Sequence, residues 1–337
     1  MRFGLTAAAL FLGLAGAGVA GECVGQNLFE TMPPQQRARI EEAVREVPYH
    51  EGLFWRARRG DEIITIVGTY HFADPRHQAN LKRIEAPLAA ADVLLVEAGP
   101  EEEARLTQAL TEDPTLMVDP TGPTLPERLR PEEWQALSDA MALRGTPAVV
   151  AAKLRPWYVA MMLGISPCMM QGRANDGAAG LDHLLVARAQ DMGVPVQPLE
   201  PWDTVFSLFE DMTPAQEIDM IRASLPTAAY ADDYAVTLTD AYFEGDVWKI
   251  WEFGRFDAYE NSGLSRAEVD DLMELARTQL MDRRNQRWIA PLTRAAHEAA
   301  RRGKGVMAGF GALHLPGEMG VLRLLEKQGW TIEKLEG

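Results

Sequence analysis

Apolar positions in this chain fall into short continuous runs near both ends and into helix-spaced series between them. From Ile63 to Val67 every residue is β-branched, and the run stops at Gly68. Such a segment predicts a buried strand over Glu62–Val67. A second run, Gly305 to Phe310, ends at Gly311. Each glycine is followed three residues later by histidine: Gly68 by His71, Gly311 by His314. Leu53–Arg58 pairs with the first run as a hairpin through Arg59-Gly60-Asp61. Asp92–Glu97, with Val93-Leu94-Leu95-Val96 at its centre, predicts a third buried strand, and a helix over 76–90, kinked or broken at Pro87, connects to it. A short strand over Val194–Leu199 ends at Glu200. Its prolines, Pro195 and Pro198, place it at a sheet edge. A last helix, Gly317–Gln328, and a strand, Trp330–Leu335, close the chain.

The remaining periodicity is helical. It predicts a helix over 35–46, mainly helical regions over about 101–180 and 213–300, and a helix over Leu181–Met192. Proline interrupts the apolar stretch 147–164 at Pro156, and turn-forming residues make 172–180 a loop. Strand, helix, strand order predicts parallel crossovers. The fold class is therefore α/β: a central mixed β-sheet flanked by helices, with a largely helical subdomain, in a single domain over 21–337. Aromatic and aliphatic residues at helical spacing, such as Trp248, Trp251 and Phe256, read as core packing.

The first twenty residues stand apart. Arg2 precedes an apolar run from Leu5 to Val19, and Gly18-Val19-Ala20 offers small residues for cleavage, the pattern of a signal peptide over 1–20. Glu22 before Cys23 excludes the lipoprotein pattern. Nothing after the leader is apolar enough for a second span, so no stable membrane anchor is expected once it is cleaved. Export to the periplasm or beyond makes a disulfide between Cys23 and Cys168, the two cysteines, the expected pairing. The 337 residues carry a formal net charge of −16, with only short basic clusters, which argues against a nucleic-acid partner.

Four predicted strands finish at His71, Glu97, Glu200 and His314. In open α/β sheets, ligands bind beyond the carboxyl ends of strands. Imidazole and carboxylate make a donor set for zinc, manganese or cobalt, and bound water then supplies a nucleophile for hydrolysis. His50, His77, His183 and His297 read as structural. His297-Glu298 lacks the second histidine of a zincin helix. No Gly-x-Ser-x-Gly elbow, phosphate-cradling loop or dinucleotide fingerprint is present.

Gly68-Thr69-Tyr70-His71, Val96-Glu97, Gly180-Leu181-Asp182, Leu199-Glu200-Pro201, Arg284-Asn285-Gln286-Arg287-Trp288 and Gly309 to Gly317 together resemble the TraB/GumN family, over nearly all of the chain after its leader. The block Gly311-Ala312-Leu313-His314-Leu315-Pro316-Gly317 is the most specific part. That family includes the Tiki proteins, metal-dependent proteases with two Gly-x-x-His motifs and a glutamate. The resemblance implies His71, Glu97 and His314 as metal-site or catalytic residues, and Arg284 and Asn285 match the family's Arg-Asn pair, with Asn285 a further ligand or an orienter; on chemical grounds Arg284 is expected to stabilise oxyanion charge. Relatives often carry an acidic residue two positions after the glutamate; here Ala98-Gly99 follows Glu97, which gives Glu200 or Asp182 more weight. The expected activity is metal-dependent hydrolysis of a peptide or protein substrate with manganese, cobalt or zinc. The alternatives are a histidine-based esterase and a periplasmic peptide- or metal-binding protein without turnover. The sequence does not fix the oligomeric state.

Overall fold

A computed structural model describes residues 23–174 and 179–335. The leader expected over 1–20 lies outside the described residues, as does the centre of the loop expected over 172–180. The helix Pro167–Ala174 takes up the first part of that loop.

Six strands form one mixed sheet: β1 (Phe54–Arg59), β2 (Glu62–Thr69), β3 (Ala91–Val96), β4 (Val196–Pro198), β5 (Gly305–Gly311) and β6 (Thr331–Lys334). Their spatial order is β4-β3-β5-β2-β1-β6. The β1–β2 hairpin is antiparallel and turns at Gly60, whose φ of 59° suits glycine. β2, β5, β3 and β4 run parallel, so all four carboxyl ends lie along one edge. In register, Thr69 faces Gly311, while Val96 faces both Gly309 and Pro198. β4 is an edge strand, as its prolines require.

Alternate residues of these strands enter two separate cores. Ile64, Ile66, Val93, Leu95, Val306 and Phe310 pack under the helices Arg283–Ala300 and Val321–Lys327. Val67, Leu94, Val96 and Met307 pack on the opposite face under His77–Ala90 and Leu181–Asp191. Both faces are covered, which explains why the parallel strands read as continuous apolar runs rather than as alternation. A largely helical region surrounds the sheet, with its own cores around Leu137 and Val159 and around Phe29 and Phe253.

Some boundaries differ from expectation. The helix His77–Ala90 passes through Pro87 without a break, because the proline falls in its last turn. The last helix begins only at Val321, since Gly317 has a φ of 95° and turns the chain first. The 147–164 stretch divides into the helices Ala148–Ala151 and Pro156–Leu163. Cys23 and Cys168 are joined by a disulfide, their Cα atoms 5.4 Å apart. Among the described residues no helix is long and apolar enough to cross a membrane.

Candidate functional site

Parallel pairing brings the ends of β2, β3, β4 and β5 together, and with them the four side chains singled out from the sequence. Gly311 is the point where three of them meet. A Cβ built there would lie 3.2 Å from Glu97 Oε1, 3.6 Å from His314 Cδ2 and 3.9 Å from His71 Nε2. Hydrogen at this position keeps the space between the two imidazoles and the carboxylate open.

Each imidazole is held from behind. His71 Nδ1 lies 2.6 Å from Asp182 Oδ2, and since a carboxylate only accepts, Nδ1 carries the proton. Gly180 makes this contact possible, because a side chain there would strike the Tyr70 carbonyl oxygen and the His71 carbonyl carbon, both at 2.4 Å. The backbone N–H of Leu181 donates to Tyr70 O at 2.9 Å, which seats the first turn of the Leu181–Asp191 helix against the histidine loop. His314, 5% exposed, donates from Nδ1 to Asn285 Oδ1 at 2.6 Å. The Asn285 amide in turn donates to Met319 O at 2.9 Å. Both ends of the Asn285 side chain are therefore engaged, one on His314 and the other on the Met319 carbonyl.

Glu97 Oε1 accepts from the Gly311 N–H at 2.6 Å, and Oε2 accepts from Arg284 Nη2 at 2.5 Å. Arg284 also grips Glu200 through Nε and Nη2, both at 2.8 Å, and donates from Nη1 to Leu280 O at 2.9 Å. The same Nη1 lies 3.2 Å from His314 Nε2. Arg284 and Asn285 lie in the first turn of the helix that follows a π-helical turn, Thr278–Asp282, of the kind that often re-aims side chains at functional sites.

Electrostatics follow from these contacts. Burial and the neighbouring guanidinium push His314 down to about 3, so it is neutral at physiological pH. Burial alone would raise the Glu97 carboxyl, but the neighbouring His314 and His71 imidazoles, the Arg284 guanidinium and the Gly311 N–H lower it to about 2. Asp182 is likewise depressed despite burial, through its contacts with His183 and His71. Contacts with Asp182 and Glu103 raise His183 to about 10.

A cavity of about 290 Å³ opens at this edge, lined among others by Thr69, His71, Glu97, Asp182, His183 and Phe310. Arg284, Glu200, His314 and Asn285 stand behind Glu97 and outside that lining. His183, read as structural from the sequence, is thus a wall of the cavity. The signal was its place next to Asp182 in the helix that opens at Gly180. The charge of Arg284 is shared between two carboxylates, Glu97 and Glu200.

The donor chemistry fits a divalent transition ion. Two imidazoles present Nε2 with their Nδ1–H groups tied to acceptors, the usual arrangement behind metal-binding histidines, and a carboxylate oxygen lies between them. As folded, Arg284 fills the cationic place: among the described residues no three His, Cys, Asp or Glu side chains are spaced as a metal cluster.

The sequence model of the TraB/PrgY/gumN family matches residues 53–334. No curated protein and no solved structure matches the chain.

Proposed function

The chain belongs to the TraB/PrgY/gumN family, and from that premise we propose that it is an exported, metal-dependent hydrolase acting on peptide bonds. One observation carries the reading: two imidazoles, each fixed through Nδ1, meet a carboxylate around Gly311, and His71 and Glu97 of this group line a cavity. His71, His314 and Glu97 would hold manganese, cobalt or zinc, with Asp182 and Asn285 keeping the rings in the required tautomer. A divalent ion held there would supply Lewis-acid chemistry for hydrolysis. Glu97, ionised at neutral pH, would be the anionic member of this ligand set. Arg284 and Glu200 position it. Phe310 and Val96 give the cavity apolar walls that exclude bulk water from the bond to be cleaved. The Cys23–Cys168 disulfide supports export to an oxidising compartment such as the periplasm.

A second reading has its own observation. The His71–Asp182 pair, 2.6 Å apart, is also how a general-base histidine is held in an esterase. A third, a binding protein without turnover, draws on Arg284 occupying the cationic place. Peptide and ester cleavage measured after chelation, then after adding manganese, cobalt or zinc, separates the three. Peptide cleavage that vanishes in chelator and returns with one ion supports the hydrolase. Ester cleavage that persists in chelator supports the esterase, and no turnover under any condition leaves the binding protein.

A further inference from the structure

The hydrogen bond from His71 to Asp182 does not end the chain of contacts at the cavity. Asp182 Oδ1 is buried and makes no hydrogen bond among the described residues. The cation nearest to that oxygen is His183, whose Nδ1 lies 3.5 Å away. His183 Nε2 lies 3.2 Å from Glu103 Oε1 on the helix Pro100–Glu112. Four side chains from three elements therefore run in series along one wall of the cavity: Glu103, His183, Asp182 and His71. All four line it.

A buried carboxylate oxygen without a hydrogen bond is costly unless a charge compensates it. With His183 in place, Asp182 can keep Oδ2 on His71 while Oδ1 faces the imidazolium. Without it, the carboxylate gains by rotating Oδ1 toward water, and the bond to His71 goes with that rotation. Glu103 in turn keeps His183 on this side of its helix. It also ties the segment after β3, which carries Glu97, to the helix that carries Asp182.

We propose that His183 and Glu103 are positioning residues for His71, holding its ring through Asp182 with Nε2 turned to the space at Gly311 where a divalent cation would bind. The inference concerns the same site as the proposed hydrolase. Only its second readout depends on that reading.

The first readout is the imidazole ¹⁵N spectrum of His71 in the full-length, metal-free protein. The parent should show a single tautomer protonated at Nδ1, and His183→Leu should show mixed tautomers. His183→Lys, which keeps a cation opposite Asp182, should stay close to the parent. The second readout is manganese affinity, measured from the free-ion electron paramagnetic resonance signal. His183→Leu should weaken it about tenfold, the low end for residues behind a ligand. Glu103→Gln should weaken it less, and His183→Lys should hold it within about threefold. An unchanged His71 spectrum in His183→Leu overturns the proposal, whatever manganese does. If the parent takes up no manganese, the metal reading fails while the spectrum still decides the positioning role. If His183→Leu does not fold, the ¹⁵N spectrum of Glu103→Gln decides: partial tautomer mixing supports the proposal, and a parent-like spectrum overturns it.

Discussion

Arg284→Met tests the electrostatic centre of the site. The guanidinium makes two bonds of 2.8 Å to Glu200 and one of 2.5 Å to Glu97, and the three side chains are 12%, 10% and 18% exposed. Methionine keeps most of the volume and the packing on Trp288, whose ring centroid lies 5.1 Å from the guanidinium carbon. What it removes is the charge. Two carboxylates are then left together with little solvent, and breaking such a pair costs about 3–5 kcal/mol. Glu97 can escape part of the penalty by taking up a proton, because burial raises its carboxyl once the guanidinium that lowers it is gone. The loss should therefore be largest at pH 7 and smaller near pH 5. Urea unfolding at both pH values measures it. Adding Glu200→Gln to Arg284→Met should recover part of the stability, since one of the uncompensated charges disappears. A loss below about 1 kcal/mol at pH 7, or one unchanged at pH 5, would refute the shared charge and leave Arg284 a surface-like pair.

Three further outcomes follow from the contacts. Replacing Cys23 and Cys168 with serine opens a loop spanning 145 residues and should cost about 2–5 kcal/mol by chain entropy, read as a drop in urea midpoint against the oxidised parent. Gly180→Ala places a methyl 2.4 Å from the backbone of Tyr70 and His71, so it should weaken manganese binding as much as it destabilises the fold, and an alanine variant with parental affinity would disprove the close approach. Stability should peak near pH 6.5. His314, depressed to about 3, binds fewer protons folded than unfolded, so its contribution falls as pH drops from about 6.5 toward 3; His183, raised to about 10, contributes fully below 6.5 and loses its share as pH rises through 10. A urea midpoint flat from pH 4 to 10 would contradict both shifts.

Much of the site was legible because its residues stand where strands stop. Continuous β-branched and aliphatic runs ending at Gly68, Val96 and Gly311 are a local signal, and they located His71, Glu97 and His314 without tertiary information. Strand order was not legible. Nothing in the sequence says that β5, whose Gly311 pairs with Thr69 of β2 across 242 residues, inserts between β2 and β3, yet this insertion makes the two histidines neighbours. The sequence placed Asn285 beside the site, but its bonds to His314 and to the Met319 carbonyl depend on elements that meet only in the folded chain. His183 was passed over for a similar reason. Its partner Glu103 lies on a helix far away in sequence, and the cavity exists only once both helices pack at the sheet's edge.

The position of Arg284 ties these observations together. Two carboxylates at adjacent strand ends cannot both stay ionised in a partly buried site without a cation. His314 cannot supply it, because burial keeps that imidazole neutral. The π-helical turn at Thr278–Asp282 brings Arg284 to the one place where it reaches Glu97, Glu200 and the Leu280 carbonyl at once. On the proposed function, a divalent ion offered to His71, Glu97 and His314 would compete with that guanidinium for Glu97, while Glu200 would retain it by its two bonds. Glu200 thus has a physical reason to be at the end of β4: it keeps Arg284 in the site whether or not Glu97 is otherwise engaged. On this account Glu200→Gln should shift manganese affinity, and a variant with parental affinity would show that Arg284 and the ion do not share Glu97.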